Sequence, residues 1–437
     1  MEMFKINALQ ALHGDCLVLE YGSEARPSYI LIDGGPHRVY GGHLQDVLLN
    51  TRDSGGKIDL VVLSHVDADH VVGLLDLLKE LVEQRRENQS ETITIEGLWH
   101  NSFGQTLGPA VERNLERQMR GSILPRGEMP VAEFQERSIA QGHELTALAR
   151  GLKIPINVHF RDTPDRLVCV ENMDAPFEFG NLKVTIVGPT KTTLKDLQDE
   201  WEDWLDKQKK VEATTTDAEA DARALDKSVP NLSSIMLLVE GDGKTVLLTG
   251  DGRGDHLEQG MRQAGVLNPD GTLHVDVFKL PHHGSNANVT ADFFERITAN
   301  TYLICADGSN DNPDFQTLEW LVQAVAKQGR QFHIVATTET PSIKKLVAQY
   351  DPDEFNYSLV FIEDGEHFVT IDLAKVPSQK GEDLTDINGI GPVFNGRLQQ
   401  AGITTRAQLL ALTPEELAAI LQTNQKRAEN ILQAARS

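Results

Sequence analysis

The sequence predicts an α/β (α+β) protein: one large domain of mixed strands and helices, followed by a small helical module. Three observations carry the prediction. Apolar runs of strand length, such as residues 58–63, hand over to segments with apolar residues at helical spacing, such as 71–84. At 437 residues the chain is long enough for one domain of about 300 residues and something smaller. A polar Pro/Ser/Gly stretch, residues 376–382, separates the last strand-like segment from a tail that reads as helix throughout.

Taken in order, residues 4–9, 16–21 and 29–32 read as three strands with turns at His13-Gly14-Asp15 and 22–27, an antiparallel opening to a sheet. The strand 58–63 and the helix 71–84 follow, then a strand at 93–99 that ends at His100-Asn101. Helical patterns occupy 110–120 and 131–150, and strand character returns at 156–160, 166–170 and 182–187. Residues 191–229 differ in kind: rich in Asp, Glu, Lys, Thr and Ala, they predict an acidic amphipathic helix around 194–210 and then a mobile loop. That insertion is either a lid or partner-docking arm, or a solvated excursion. Strands at 235–240 and up to Asp251, helices at 291–297 and 315–328, and strands at 301–305, 332–336, 357–362 and 367–373 complete the domain.

The formal charge of −24 excludes a surface-wide nucleic-acid binder, because phosphates are held chiefly by Lys and Arg; any such binding must be local. Cys16, Cys169 and Cys305 are odd in number and lie in or beside apolar runs, which predicts reduced core thiols. With no leader pattern and no apolar run near about 18 residues, the expectation is a soluble, cytoplasmic protein with no membrane span.

Chemistry concentrates at Ser64-His65-Val66-Asp67-Ala68-Asp69-His70, directly after the 58–63 strand. Two imidazoles and two carboxylates at a strand-to-helix corner can be aimed at one point by a rigid scaffold, which predicts a metal site rather than a solvated polar loop. Three further stretches fall in order around it: Ile30-Leu31-Ile32-Asp33-Gly34-Gly35, a strand ending in Asp; Thr245-Val246-Leu247-Leu248-Thr249-Gly250-Asp251; and Lys279-Leu280-Pro281-His282-His283-Gly284-Ser285. Together they resemble the motifs of the metallo-β-lactamase-fold hydrolases, in the form found in the soluble domain of the competence protein ComEC. His13-Gly14-Asp15-Cys16 is similar to an element near the start of that domain. The resemblance implies a four-layer αβ/βα sandwich over residues 1–375. It also implies one or two divalent ions, Mn²⁺ or Zn²⁺ with Mg²⁺ as a further candidate, held by His65, Asp67, Asp69, His70, Asp251 and His282. Asp251 is expected to bridge both ions. Where many members have a further histidine the nearest residue is Asn231, and Asp67 stands in place of a histidine, so one position is expected to be oxygen-rich and to favour Mn²⁺ or Mg²⁺. Asp69 is expected to orient the nucleophile and His283 to serve as proton or hydrogen-bond donor, the choice between the two adjacent histidines resting on strand alternation. Asn231, Lys279, Ser285 and Asn101 are the expected substrate contacts, Lys279 toward a phosphate oxygen.

After the linker, residues 383–437 hold Ile387-Asn388-Gly389-Ile390-Gly391-Pro392 between helical patterns, which resembles the hairpin of helix-hairpin-helix domains. Gly389 and Gly391 allow close backbone approach to a DNA phosphate, and Arg397, Arg406, Lys426 and Arg427 supply local positive charge, with Arg397 and Lys426 the expected DNA contacts. The same module can instead mediate homo-oligomerisation or bind a protein partner. The leading expectation is therefore a metal-dependent nuclease or phosphodiesterase that attacks DNA with a metal-activated water. The alternative is a hydrolase of a small phosphodiester or other metabolite whose C-terminal module serves assembly.

Overall fold

The structure, a computed structural model, describes residues 2–101, 131–196 and 233–376 and most of 384–435. The expected helix at 110–120, the acidic insertion from residue 197 onward, Asn231 and the linker after 376 lie outside the described residues. The chain divides into two compact units, Met1–Val376 and Pro377–Ser437.

In the larger unit, β1 (Glu2–Leu9), β2 (Leu17–Ser23), β3 (Arg26–Ile32), β4 (Ile58–Val62), β5 (Leu98–Trp99) and β14 (Phe368–Asp372) form one sheet in the order β14-β1-β2-β3-β4-β5. β6 (Phe177–Phe179), β7 (Leu182–Gly188), β8 (Met236–Gly241), β9 (Lys244–Leu248), β10 (Leu273–Lys279), β11 (Ile297–Ile304), β12 (Phe332–Ala336) and β13 (Tyr357–Phe361) form the other, in the order β13 to β6. Alternate residues of both sheets, Ile6, Leu19, Ile30 and Val62 from one and Val184, Leu237, Val246 and Val277 from the other, meet in a shared apolar core. The opposite faces are covered by helices. Leu74, Leu77 and Leu81 of α2 (Ala68–Arg86) pack on the first sheet with α1 (Gln45–Asp53). Leu257, Phe293 and Leu318, from the helices Gly254–Gln263, Ala291–Arg296 and Phe315–Lys327, pack on the second. The result is the four-layer αβ/βα sandwich.

The arrangement of strand directions places the site. β3, β4 and β5 run parallel, as do β9 to β13, so their C-terminal ends reach the same edge of each sheet. β2 is antiparallel to β3 with Leu17 opposite Ile32, so the turn before β2 arrives at that edge too. The motif stretches of the larger unit around Asp15, Asp33, His65, Asp251 and His282 all lie at that edge.

Several local expectations are corrected. The helix α2 begins at Ala68 with Asp67 as its N-cap, so Asp69 and His70 stand on its first turn and not in a loop ahead of it. Residues 156–160 form no strand: Asn157 takes a left-handed φ of 49°, its side chain accepts from His100 N at 2.9 Å and donates to His100 O at 2.7 Å, and a 3-10 turn follows. Residues 166–170 likewise stay irregular, and of 93–99 only Leu98–Trp99 pairs as a strand, with isolated bridges at Ile95 and Ile156. Among the described residues no helix is long and apolar enough to cross a membrane. Cys16, Cys169 and Cys305 are free and buried.

The smaller unit has its own core, made by Leu384, Ile387, Ile390, Leu398, Leu409, Leu417, Leu421, Ile431 and Leu432. Its helices are Pro392–Gln400, Arg406–Leu410, Pro414–Leu421 and Gln425–Ala434.

Candidate metal centre

Asp251 is the hub. Its Oδ1 lies 3.4 Å from His70 Nε2 and 3.4 Å from His283 Nε2, and its Oδ2 lies 3.8 Å from His65 Nε2 and 3.6 Å from His282 Nε2. Each oxygen therefore faces two imidazoles. Asp69 joins the first set, at 3.8 Å from His70 and 3.6 Å from His283, and Asp67 joins the second, at 3.7 Å from His65. Asp69, His70, Asp251 and His283 offer ligand atoms that all lie within 4.8 Å of one another, as do His65, Asp67 and Asp69.

The far side of each imidazole is engaged by the protein. His70 Nδ1 meets Asp33 Oδ2 at 2.8 Å; His283 Nδ1 donates to the Cys305 carbonyl at 2.8 Å; His282 Nδ1 meets Asn288 Oδ1 at 2.8 Å. His65 Nδ1 lies 3.0 Å from Ser64 Oγ, which gives its own proton to Asp33 Oδ2 at 2.6 Å and so accepts from the ring. Facing acceptors, every Nδ1 carries the proton, and every Nε2 presents its lone pair toward Asp251. The Nε2 atoms of His65, His70 and His283 and the Oδ1 of Asp251 are buried and make no hydrogen bond among the described residues. Orphaned lone pairs gathered around a shared carboxylate are what a cation site requires.

Charge points the same way. Among the described residues five carboxylates, Asp15, Asp33, Asp67, Asp69 and Asp251, gather around a single ammonium, Lys279, an excess of negative groups that a bound cation would offset. Burial opposes charge on His70 and His283, yet Asp251 and its neighbouring carboxylates outweigh it and raise both rings well above the ordinary histidine value. His65 is held down to about 3 by burial and by the neighbouring His70. The residues fit a two-cation centre.

The expected roles of the two adjacent histidines are redistributed. His282 and His283 both adopt left-handed backbone, φ 47° and 56°, which swings their rings to opposite sides of Asp251 instead of alternating them across a strand. His283, expected as a proton or hydrogen-bond donor and not as a ligand, thus joins Asp69 and His70, and His282 lies with His65 on the other oxygen of Asp251. The cluster of Asp69, His70, Asp251 and His283 is balanced between imidazole and carboxylate, whereas that of His65, Asp67 and Asp69 has one imidazole and two carboxylates and is the more oxygen-rich.

Two expected substrate contacts are corrected. Lys279 is 1% exposed and bound to Asp15 Oδ2 at 2.5 Å and to the Gly250 carbonyl at 3.0 Å, so it lies beneath the centre and cannot reach a phosphate. Asn101 is buried and clamps Val168, donating to its carbonyl at 2.9 Å and accepting from its N–H at 2.8 Å. Ser285 does line the cleft of about 350 Å³ above the centre, with His13, Asp307, Ser309, Asn312 and Asp314. Sequence reasoning missed Asp15 and His13 in the first turn, the roles of Asp33 and Asn288 in holding His70 and His282, and the cleft carboxylates Asp307 and Asp314. Asp33, directly past a strand end, and the His13-Gly14-Asp15-Cys16 stretch stand out in the sequence as motifs but without a role, and Asn288, Asp307 and Asp314 give no signal.

In the C-terminal unit Gly389 takes φ 102°, and a Cβ there would approach Ile431 Cγ1 to 3.0 Å; Gly389 and Gly391 are both exposed. In the second half Gln422, also left-handed at φ 48°, takes the place of a hairpin glycine, and Asn424 caps the last helix by accepting from Arg427 N at 2.9 Å. Lys426 is exposed on that helix's first turn. Arg397 is half-buried and donates from one guanidinium nitrogen to the Leu421 carbonyl at 2.5 Å, at the end of the helix Pro414–Leu421. Arg427 stacks over Phe394 at 4.8 Å.

Residues 12–147 match the model of the metallo-beta-lactamase superfamily, and residues 381–437 match that of the SAM-like helix-hairpin-helix tandem. A 48-residue stretch is 48% identical to the large ribosomal subunit protein bL21 of Chelativorans sp. (strain BNC1), covering 11% of this chain; it spans only 22% of that protein's length. Among solved structures the chain is similar to the metallo-beta-lactamase fold protein YhfI from Bacillus subtilis, at 9% identity and a TM-score of 0.32 over 84% of this chain and 99% of that one.

Proposed function

Starting from a metallo-β-lactamase fold followed by a helix-hairpin-helix module, a combination that implies a metal-dependent hydrolase, we propose that the protein hydrolyses phosphodiester bonds in DNA, in the cytoplasm. The observation that carries the reading is the division of Asp251 between two sets of imidazoles, each completed by an aspartate from the turn before or at the start of α2. When bound, divalent ions at these positions supply Lewis acidity and lower the pKa of a hydrolytic water. Asp69, His70, His283 and Asp251 would hold one ion; His65, Asp67, His282 and Asp251 would hold the other. Asp33, Asn288 and the Cys305 carbonyl lock the ring orientations, so the centre needs no rearrangement when substrate arrives. Asp69, at the cleft floor, orients the attacking oxygen. With His283 engaged at both nitrogens, the remaining imidazole of the described cleft lining, His13, is left to protonate the leaving oxygen.

The DNA assignment is supported by the likeness of the His282-His283-Gly284-Ser285 motif to the ComEC domain and by the exposed Gly389 and Gly391 of the hairpin module, a type that binds phosphates through backbone N–H groups. One observation favours the alternative of a small phosphodiester with the module used for assembly. The described cleft lining holds five carboxylates, Asp67, Asp69, Asp251, Asp307 and Asp314, and no Lys or Arg, a poor surface for a long polyanion. Purified protein incubated with single-stranded DNA, double-stranded DNA and a small phosphodiester, each with Mn²⁺, Mg²⁺ or Zn²⁺, separates the two. Turnover of the small ester with no cleavage of either DNA would overturn the nuclease reading.

A further inference from the structure

Beneath the centre lies a buried ion pair that no step above uses. Asp15 and Lys279 are each 1% exposed, and Asp15 Oδ2 meets Lys279 Nζ at 2.5 Å. The other Asp15 oxygen makes no hydrogen bond and lies 3.4 Å from His283 Nδ1. Lys279 Nζ also donates to the Gly250 carbonyl, one residue before the hub, and stands 3.9 Å from Asp251 Oδ1. A buried ammonium this close to the oxygen shared by His70 and His283 is a competitor for the lone pairs that a cation needs. Asp15 is the group that draws it away.

We propose that Asp15 is a positioning residue for one of the two cation positions: it holds the Lys279 ammonium off Asp251 Oδ1 and steadies His283 from behind. The inference rests on the two-cation reading above. The distances give it direction. Lys279 is more than an ångström closer to Asp15 than to Asp251, so neutralising Asp15 removes the stronger attraction and leaves Asp251 Oδ1 as the nearest carboxylate. The position formed by Asp69, His70, His283 and Asp251 Oδ1 then weakens. The position formed by His65, Asp67, His282 and Asp251 Oδ2, on the far oxygen, does not.

The test is calorimetric titration of the metal-free full-length protein with Mn²⁺ alone, so it does not depend on substrate or turnover. Wild type takes up two equivalents. Asp15→Asn, which keeps shape and loses charge, should bind one equivalent as wild type does and the other about 10- to 100-fold more weakly, the usual effect of removing a ligand's outer partner. Adding Lys279→Met removes the competitor, and the weakened equivalent should recover to within a few-fold of wild type. Should Asp15→Asn not fold, Lys279→Met alone serves: it should retain both equivalents. The proposal is overturned if Asp15→Asn binds both equivalents normally, if the double variant is no better than the single, or if Lys279→Met alone loses one. A wild-type protein that takes up no metal overturns the two-cation reading itself, and this inference with it.

Discussion

Gly14→Ala tests whether the turn that carries Asp15 is built to touch the segment that carries Asp69. A Cβ at residue 14 would stand 1.9 Å from the Asp69 carbonyl oxygen and 2.8 Å from Pro36 Cδ. Atoms in contact are comfortable near 3.5 Å, so the two segments must part by more than about 1 Å. Neither obstacle is a flexible side-chain end: one is backbone in the first turn of α2, the other a proline ring. The displacement therefore falls on Asp69 or Asp15, whose carboxylates lie 3.6 Å and 3.4 Å from the two ring nitrogens of His283. A misplacement of about 1 Å at a reacting centre costs on the order of 100-fold in rate. Overpacking costs about 1–3 kcal/mol of stability, less than a typical folding free energy, so the variant should stay folded. The assay is kcat on a small phosphodiester reporter, with metal content and a melting curve taken on the same preparation. Gly42→Ala, whose Cβ would meet nothing within 4 Å, is the control and should match wild type. A folded Gly14→Ala protein with unchanged kcat and metal content would refute the idea that this contact sets the geometry of the centre.

Asp251→Ala should abolish hydrolysis and strip both ions, whereas His282→Ala and His283→Ala should each lose one; elemental analysis showing full metal content in all three would defeat the ligand sets. Ending the chain at Val376 should strongly reduce cleavage of long DNA and spare the small reporter, because the centre lies wholly in the larger unit; an unchanged DNA rate with an altered solution mass would make the C-terminal unit an assembly element. His274, half-buried beside Arg330, has its pKa lowered by desolvation and then by that guanidinium to about 4, so at pH 5 it stays neutral when folded but is protonated in the unfolded chain below about 6.5. Its contribution is whole above pH 6.5 and is lost as pH falls toward 4, about 2 kcal/mol by pH 5. In urea melts at pH 7.5 and 5.0, His274→Gln should show a smaller acid loss than wild type, and an equal loss would exclude this residue as the cause.

The sequence by itself determined the sandwich and the helical module, and it singled out most of the side chains that the structure brings together around Asp251. Strand and helix periods are local, and His65, Asp67, Asp69 and His70 are near neighbours in the chain whose chemistry is visible without a fold. Asp251 and the His282-His283 pair were legible through the resemblance of their stretches to the metallo-β-lactamase-fold motifs, and the structure places both at strand ends on a common edge. Tertiary structure alone decided how the donors are shared. Which way His282 and His283 point depends on two left-handed residues at the end of β10, a backbone choice that strand alternation cannot express. The fate of Lys279 and Asn101 was equally hidden: a lysine at a strand end reads the same whether it meets solvent or a carboxylate 264 residues away in sequence, and only packing brought Asp15 beneath it. Partners so distant in the chain leave no periodic trace, because what pairs them is the closing of one sheet on the other.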